Sequence, residues 1–216
     1  LNSVFTHPKR AYCRYTTPRL IFFTFQDQCI ILQIMSILKH IEDRSLAHIT
    51  RFSGSPQHFE ESVADHSFFV AYITSLICLL LREKGVALDY EKAITMALIH
   101  DMEERFSGDI LSPFKHHSKE VNEAIRKVNQ GLIREVFEGL PENLKSYYIS
   151  LWNEEGEQKS IEAQIVKAAD NLSLLAKCRE EINAGNEFFK EIYDKSYKKL
   201  TENQVDWWQK IKDGVI

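Results

Sequence analysis

The chain has 216 residues, of which 44% are hydrophobic and 27% charged, and its formal net charge is −4. This composition predicts one soluble domain, with or without an appendage, and excludes a disordered chain. The acidic balance gives no electrostatic reason to expect a nucleic-acid polymer as a partner. The cysteines are widely separated, which favours a reduced, cytoplasmic compartment and argues against a structural zinc ribbon.

Residues 1–34 differ in composition from the rest of the chain, with four basic residues and no acid before Asp27. Their apolar run, from Leu20 to Met35, is interrupted by Gln26-Asp27-Gln28 and is too short and too polar to span a bilayer. No membrane partner is therefore expected. The segment is interpreted as an extension, a targeting peptide or translated upstream sequence, and no function is assigned to it.

From residue 35 onward, apolar residues recur at helical spacing. Ser62 and Asp89 are suited to cap two of the predicted helices, and Gly54 and Pro56 mark a loop between the first two. The predicted helices span residues 35–49, 63–84, 90–105, about 118–140, 142–152, 158–184 and 187–212. The expected fold is all-α, a single compact helical bundle over residues 35–216. No glycine-rich phosphate-binding loop is present, which excludes the nucleotide sites built on such loops.

Groups able to bind a metal stand inside otherwise apolar helices at three places. His66 begins the first long helix, His100 and Asp101 end the next, and Asp170 lies within an apolar stretch near residue 170. An unpaired carboxylate in such surroundings is costly. Two imidazoles and two carboxylates converging on one divalent ion would remove that cost and leave coordination positions open for catalysis.

Each residue also has a simpler interpretation. A single histidine such as His66 near a helix start is commonly a capping or surface residue, and Asp170 could pair with Lys167 or Arg179. The joint pattern is more specific, because a histidine is followed 34 residues later by a His-Asp pair and 69 residues beyond that by an aspartate.

Three stretches, "SVADHSFFVA", "ALIHDMEERFSGDILSPFK" and "IVKAADNLSLLAKCREEINAGN", carry a family resemblance. They resemble the HD-domain metal-dependent phosphohydrolases, defined by H…HD…D, and within these the YfbR-like 5′-deoxynucleotidases. The resemblance extends from Met35 to Lys199. It implies an all-helical homodimer with one divalent ion (Co, Mn, Zn, Fe or Ni) that removes phosphate from deoxynucleoside 5′-monophosphates.

The resemblance also implies roles for individual residues. The metal ligands would be His66, His100, Asp101 and Asp170. Glu104 matches the catalytic acid of the family, and a continuing helix would place it on the same face as His100. The neighbouring Glu103 is expected to be an exposed helix-end residue.

The substrate-binding residues implied by the family flank these ligands. Arg51 matches the arginine that orients the phosphate, so Arg51, Asp101 and Glu104 form the expected catalytic group. Phe52 stands where bacterial enzymes have a tryptophan that disfavours a 2′-hydroxyl, which weakens the expectation of deoxy-specificity. The remaining substrate contacts would come from Asp101, Asp109, Ile110, Leu111, Ser112 and Asp170.

Two other functions stay open on the sequence alone. One is an HD-domain phosphohydrolase that acts on a nucleoside triphosphate, a cyclic nucleotide or an alarmone. The other is a metal-stabilised helical module without catalysis, against which the presence of Glu104 argues. Two further features are interpreted as structural: Trp207 and Trp208 should pack against the bundle or a dimer partner, and Glu180 and Glu181 should lie at a solvated helix end or a dimer seam.

Overall fold

The structure is a computed structural model that describes residues 37–216. The described part of the chain consists of helices, turns and one isolated antiparallel bridge between Thr50 and Ser62, with no β-strand. The predicted all-α fold is confirmed. The predictions made for residues 1–34 lie outside the described residues.

The longer helices begin close to the predicted positions. They are α1 (Val63–Glu83), α2 (Tyr90–Ile99), α3 (Lys119–Val136), α4 (Glu142–Glu157), α5 (Ile161–Asn183) and α6 (Phe188–Thr201). Short helical turns lie before α1 at Ser45–His48, between α2 and α3 at Glu104–Ser107 and Ser112–Lys115, and after α6 at Asp206–Gln209 and Lys212–Gly214.

Helix α1 packs against α2 and α5. It begins with a capping box: the Ser62 hydroxyl accepts a hydrogen bond from the Asp65 backbone N–H, and the Asp65 carboxylate accepts one from the Ser62 N–H. A cap of this kind contributes about 1 kcal/mol to helix stability. Because the cap fixes where α1 starts, it also fixes the position of His66 in the first turn of the helix.

One face of α1 is more exposed than its sequence predicts. The helix is long and apolar enough to cross a membrane by length and composition, and 39% of that window is buried inside the protein. Its exposed apolar side chains lie along one stripe: Phe68, Phe69, Tyr72, Leu76, Leu79 and Leu80. Helix α1 is therefore buried on one face only and presents an apolar stripe on the other.

The helix predicted over residues 90–105 ends early, at Ile99. Beyond it the backbone tightens, with hydrogen bonds from Met102 N to Ile99 O and from Glu104 N to Asp101 O. These bonds join residues three apart rather than four, as in a 3₁₀ turn. The expectation that Glu104 continues the helix of His100 is wrong, and Glu104 instead begins a separate short turn.

Other predicted boundaries shift because side chains bind the backbone. The helix predicted over residues 35–49 breaks at Asp43, whose carboxylate accepts hydrogen bonds from the Ser45 N–H and hydroxyl. The helix predicted over 187–212 ends at Thr201. Trp207 and Trp208 lie beyond that break and are buried in the core, so their predicted packing against the bundle is confirmed.

Candidate functional site

Three helices bring the predicted metal ligands together. His66 is fully buried in α1, His100 follows the last residue of α2, and Asp170 lies in the middle of α5. The imidazole rings of His66 and His100 have their centroids 5.3 Å apart. Side chains far apart in sequence therefore meet at one point inside the bundle.

The nitrogen and oxygen atoms at this point lie within the reach of a single cation. His66, His100 and Asp101 each offer one ligand atom, and these atoms lie within 4.8 Å of one another. Asp101 Oδ2 is 3.0 Å from His100 Nε2 and 3.7 Å from His66 Nε2. Asp170 joins the group through Oδ1, which lies 3.3 Å from His66 Nε2.

A polar contact at Nδ1 orients each imidazole ring. Nδ1 of His100 lies 2.8 Å from Ala97 O, and Nδ1 of His66 lies 3.2 Å from the Ser173 hydroxyl. Both Nε2 atoms are buried and have no hydrogen-bond partner among the described residues. Buried polar atoms are rarely left in this state. Two inward-facing imidazole nitrogens beside two carboxylates fit a divalent metal ion well.

Asp170 also forms the ion pair that its simpler interpretation predicted. Its Oδ2 lies 2.7 Å from Lys167 Nζ, while Arg179 lies over the ring of Tyr193 instead. Burial would raise the pKa of Asp170, but Lys167 and His66 hold the pKa well below its usual value. The charged carboxylate of Asp170 therefore directs Oδ1 towards the imidazoles and binds Lys167 through Oδ2.

Arg51 lies beside the metal ligands and is held by an acidic partner. Its Nη1 lies 2.5 Å from Glu61 Oε2 and 2.9 Å from His66 Nδ1. Burial would lower the pKa of Arg51, but the carboxylates of Glu61, Asp101 and Asp170 raise it above its usual value. The guanidinium therefore stays charged within the electrostatic reach of the ligands.

The predicted substrate loop is joined to the residue after Arg51. The backbone N–H of Phe52 donates a hydrogen bond of 2.8 Å to Asp109 Oδ2. Phe52 has a positive φ of 56° and packs edge-on against Phe189 at 5.3 Å. Leu111 and Ser112 are exposed, and Ile110 is half-buried. Asp109 thus has a structural bond to the backbone of Phe52, and its contact with the substrate stays a prediction.

Glu104 lies in the same electrostatic environment. One of its carboxylate oxygens is buried without a hydrogen-bond partner among the described residues. Burial and the neighbouring carboxylates of Asp101, Asp109 and Glu103 raise the pKa of Glu104 to about 9. A carboxyl group with a strongly raised pKa in a buried site is a common feature of catalytic acids and bases.

Glu103 was expected to be exposed, and this expectation is wrong. The side chain is buried, with Oε2 accepting a hydrogen bond of 2.8 Å from Trp152 Nε1 and Oε1 one of 3.3 Å from Asn129 Nδ2. Burial and the charge of Asp101 raise the pKa of Glu103 to about 7. Its partners lie on α3 and α4, so nothing near it in sequence indicates this contact.

A cavity of about 180 Å³ opens beside the ligands and contains basic groups that suit an anionic substrate. His100, Asp101 and Asp170 form one part of its wall, and Lys115 and Lys167 form another. A phosphate bound next to the ligands in this cavity would therefore meet positive charge from the two lysines.

Comparisons with known proteins agree with this geometry. The family model "5′-deoxynucleotidase YfbR-like" matches residues 39–210. A 5′-deoxynucleotidase of Erwinia tasmaniensis is 30% identical over 155 residues, covering 70% of this chain and 78% of the relative. One from Shewanella oneidensis is 33% identical over 130 residues, covering 60% of this chain and 66% of the relative.

The fold is also found among solved structures. The crystal structure of an HD-domain phosphohydrolase from Listeria innocua superimposes with a TM-score of 0.73 at 27% identity, covering 85% of this chain and 87% of that one. The helical fold and the clustered histidines and aspartates thus define an HD-domain phosphohydrolase, a metal-dependent hydrolase whose cofactor here is one divalent ion. Within that class, the chain belongs to the YfbR-like 5′-deoxynucleotidase family.

Proposed function

We propose that the protein is a metal-dependent phosphomonoesterase that hydrolyses nucleoside 5′-monophosphates, with deoxynucleotides preferred, to nucleoside and phosphate. One observation carries this function: the Nε2 atoms of His66 and His100, which have no hydrogen-bond partner among residues 37–216, converge with the carboxylates of Asp101 and Asp170. The family membership of the chain, and the names of its relatives, specify the substrate class that such a site would serve.

The proposed ligands are His66, His100, Asp101 and Asp170. A divalent ion held by these residues would lower the pKa of water and polarise a phosphoryl oxygen. With Nε2 of His66 given to the ion, Nδ1 would carry the proton of the ring and donate it to the Ser173 hydroxyl in a hydrogen bond. Arg51 would then keep its contact with Glu61 and offer its other N–H groups to the phosphate.

Glu104 is proposed to move the proton of the reaction. With a pKa raised to about 9, the carboxyl group holds a proton that it can give to the departing 5′-oxygen of the nucleoside. A cation near Asp101 would offset part of the local negative charge and lower this pKa. In its deprotonated form, the same group would accept a proton from the attacking water.

A panel of substrates tests this function directly. Protein loaded with cobalt or manganese should release phosphate from dAMP, dGMP and dTMP, and chelation should abolish the release. AMP serves as the matched ribonucleotide, and its turnover measures whether Phe52 excludes the 2′-hydroxyl. Exclusive turnover of a triphosphate, a cyclic nucleotide or an alarmone would select the alternative substrates. Fully metallated protein that leaves every phosphate compound intact would overturn the proposal.

We propose that two copies of the chain form a homodimer through the exposed apolar stripe of α1. The side chain of Phe68 is 63% exposed and that of Tyr72 56% exposed in the described part of the chain. Large exposed apolar patches commonly mark protein–protein interfaces. A second copy of this chain is the proposed occupant, because the resemblance to the family implies a homodimer.

The mass of the protein in solution tests the dimer. Wild-type protein should elute from size exclusion with light scattering as a dimer, and Tyr72→Lys with Leu76→Lys should shift it to a monomer. The matched control is Lys119→Glu with Glu123→Lys, a charge exchange on an exposed face of α3. A dimer that survives the α1 substitutions places its interface elsewhere, and a wild-type monomer refutes it.

A cytoplasmic location is proposed from the thiols together with the substrate. Cys78 and Cys178 are free and buried, and burial raises the pKa of each thiol to about 12. Such thiols act as small apolar groups in the core. The proposed substrates, nucleoside monophosphates, occur in the cytoplasm, which supports the same location.

A further inference from the structure

The loop of residues 52–60 leads from Arg51 to the start of α1 and is tied at its base. The backbone N–H of Arg51 donates to Glu61 O at 2.8 Å, and that of Val63 donates to Ile49 O at 2.9 Å. These bonds close the ends of the loop but do not determine the path of its middle. The middle is held from the other side, by the C-terminal part of α5.

Glu181, on α5, is fully buried and binds the loop backbone. Its carboxylate accepts hydrogen bonds from the backbone N–H of His58 at 2.9 Å and from that of Phe59 at 3.0 Å. The sequence led to the expectation of a solvated helix end or a dimer seam, which is wrong for Glu181. Its loop partners lie more than 120 residues away in the chain.

Two further side chains complete this contact. Lys177 Nζ lies 2.8 Å from Glu181 Oε1 and also donates to Phe59 O. Asn186 Nδ2 donates to Pro56 O and to Glu181 Oε2, each at 2.8 Å. Burial would raise the pKa of Glu181, but its bonds to His58, Lys177, Phe59 and Asn186 hold the pKa at about 2. The carboxylate therefore remains charged.

A short path connects this network to Arg51. Gln57 stands between Pro56 and His58, whose backbone atoms the network holds, and its Nε2 donates to Arg51 O at 2.9 Å. The position of the Arg51 backbone thus depends on the position of the loop. Phe52 follows directly and is fixed by Asp109 and Phe189.

We propose that Glu181 is a positioning residue for the substrate phosphate: by fixing residues 56–59 it holds Arg51 in place beside the metal ligands. This inference rests on the proposed function, in which Arg51 binds the phosphate. A buried ion pair by itself is often no more stabilising than apolar residues of the same volume. The bonds to four loop backbone atoms instead specify a geometry, and small displacements of a binding group reduce catalysis strongly.

Glu181→Gln tests the proposal, because it keeps the size of the side chain and removes the charge and one acceptor. We expect kcat/KM for dAMP to fall about tenfold or more, mainly through KM. The inhibition constant of inorganic phosphate should rise by a similar factor. The bound metal per chain should stay at the wild-type value. Glu187→Gln, at a side chain that is 75% exposed, is the matched control and should change none of these quantities.

A second variant keeps the test decisive if Glu181→Gln does not fold. Gln57→Ala removes only the link to Arg51 O and should weaken phosphate binding in the same direction, with an unchanged melting temperature. Direct binding of labelled inorganic phosphate to metal-loaded protein separates this proposal from the proposed function, since it needs no turnover. If Glu181→Gln folds, wild-type phosphate affinity in this variant would overturn the positioning role. If Glu181→Gln does not fold, wild-type phosphate affinity in Gln57→Ala would overturn it.

Discussion

Replacing Asp170 with asparagine should remove the bound metal ion and lower phosphate release by about a thousandfold or more. Loss of a residue that merely supports a ligand typically costs 10–100-fold in metal affinity, so loss of a charged ligand should cost more. The remaining amide is neutral and no longer balances the cation. Metal content after dialysis, measured by mass spectrometry, and phosphate release from dAMP together check this expectation.

Two control variants separate ligation from the ion pair of Asp170. Lys167→Met removes the partner of Oδ2 at 2.7 Å and should leave one metal ion per chain. Asp194→Asn, at an exposed position of α6, should leave both metal content and activity unchanged. If Asp170→Asn keeps its metal, or if Lys167→Met loses metal to the same extent, Asp170 acts as an ion-pair partner and not as a ligand.

Glu104→Gln should lower kcat by roughly 10²–10⁴-fold while the protein keeps its metal and its fold. This is the usual range for loss of a general acid or base. Glutamine has nearly the same shape but neither gives nor takes the proton. The buried, unpartnered oxygen of Glu104 would become an amide group in the same place, so the change tests proton transfer rather than packing. Steady-state kinetics with dAMP at saturating metal measures the effect.

The control for this variant is Glu123→Gln, at a side chain that is 67% exposed on α3. It should have wild-type kinetics. A Glu104→Gln protein with full metal content and wild-type kcat would show that the carboxyl group is not catalytic. It would also revive the interpretation of the chain as a helical module without catalysis.

The sequence predicts the helices well wherever local chemistry determines them. The caps at Ser62 and Asp89 and the apolar spacing of α1 and α5 predict both the helices and the approximate depth of His66 and Asp170. The clustering of His66, His100 and Asp101 was predicted because an apolar helix offers few other ways to accommodate such groups.

The remaining features depend on partners that are distant in sequence. Glu103 is buried because Trp152 and Asn129 reach it from other helices, and Glu181 because the loop backbone needs an acceptor there. Neither contact can be recognised from the sequence around Glu103 or Glu181. The tight turn after Ile99 likewise differs from the local sequence, which favours a continuing helix.

The hydrogen bonds that hold the loop of residues 52–60 from the end of α5 affect which residues of this enzyme can be substituted. They bind main-chain atoms of Pro56, His58 and Phe59, while the side chains of Ser53, His58 and Glu60 face the solvent. Those side chains can vary without disturbing the loop path or the ligand cluster. The loop sequence can therefore change at these positions while the backbone next to Arg51 keeps its place.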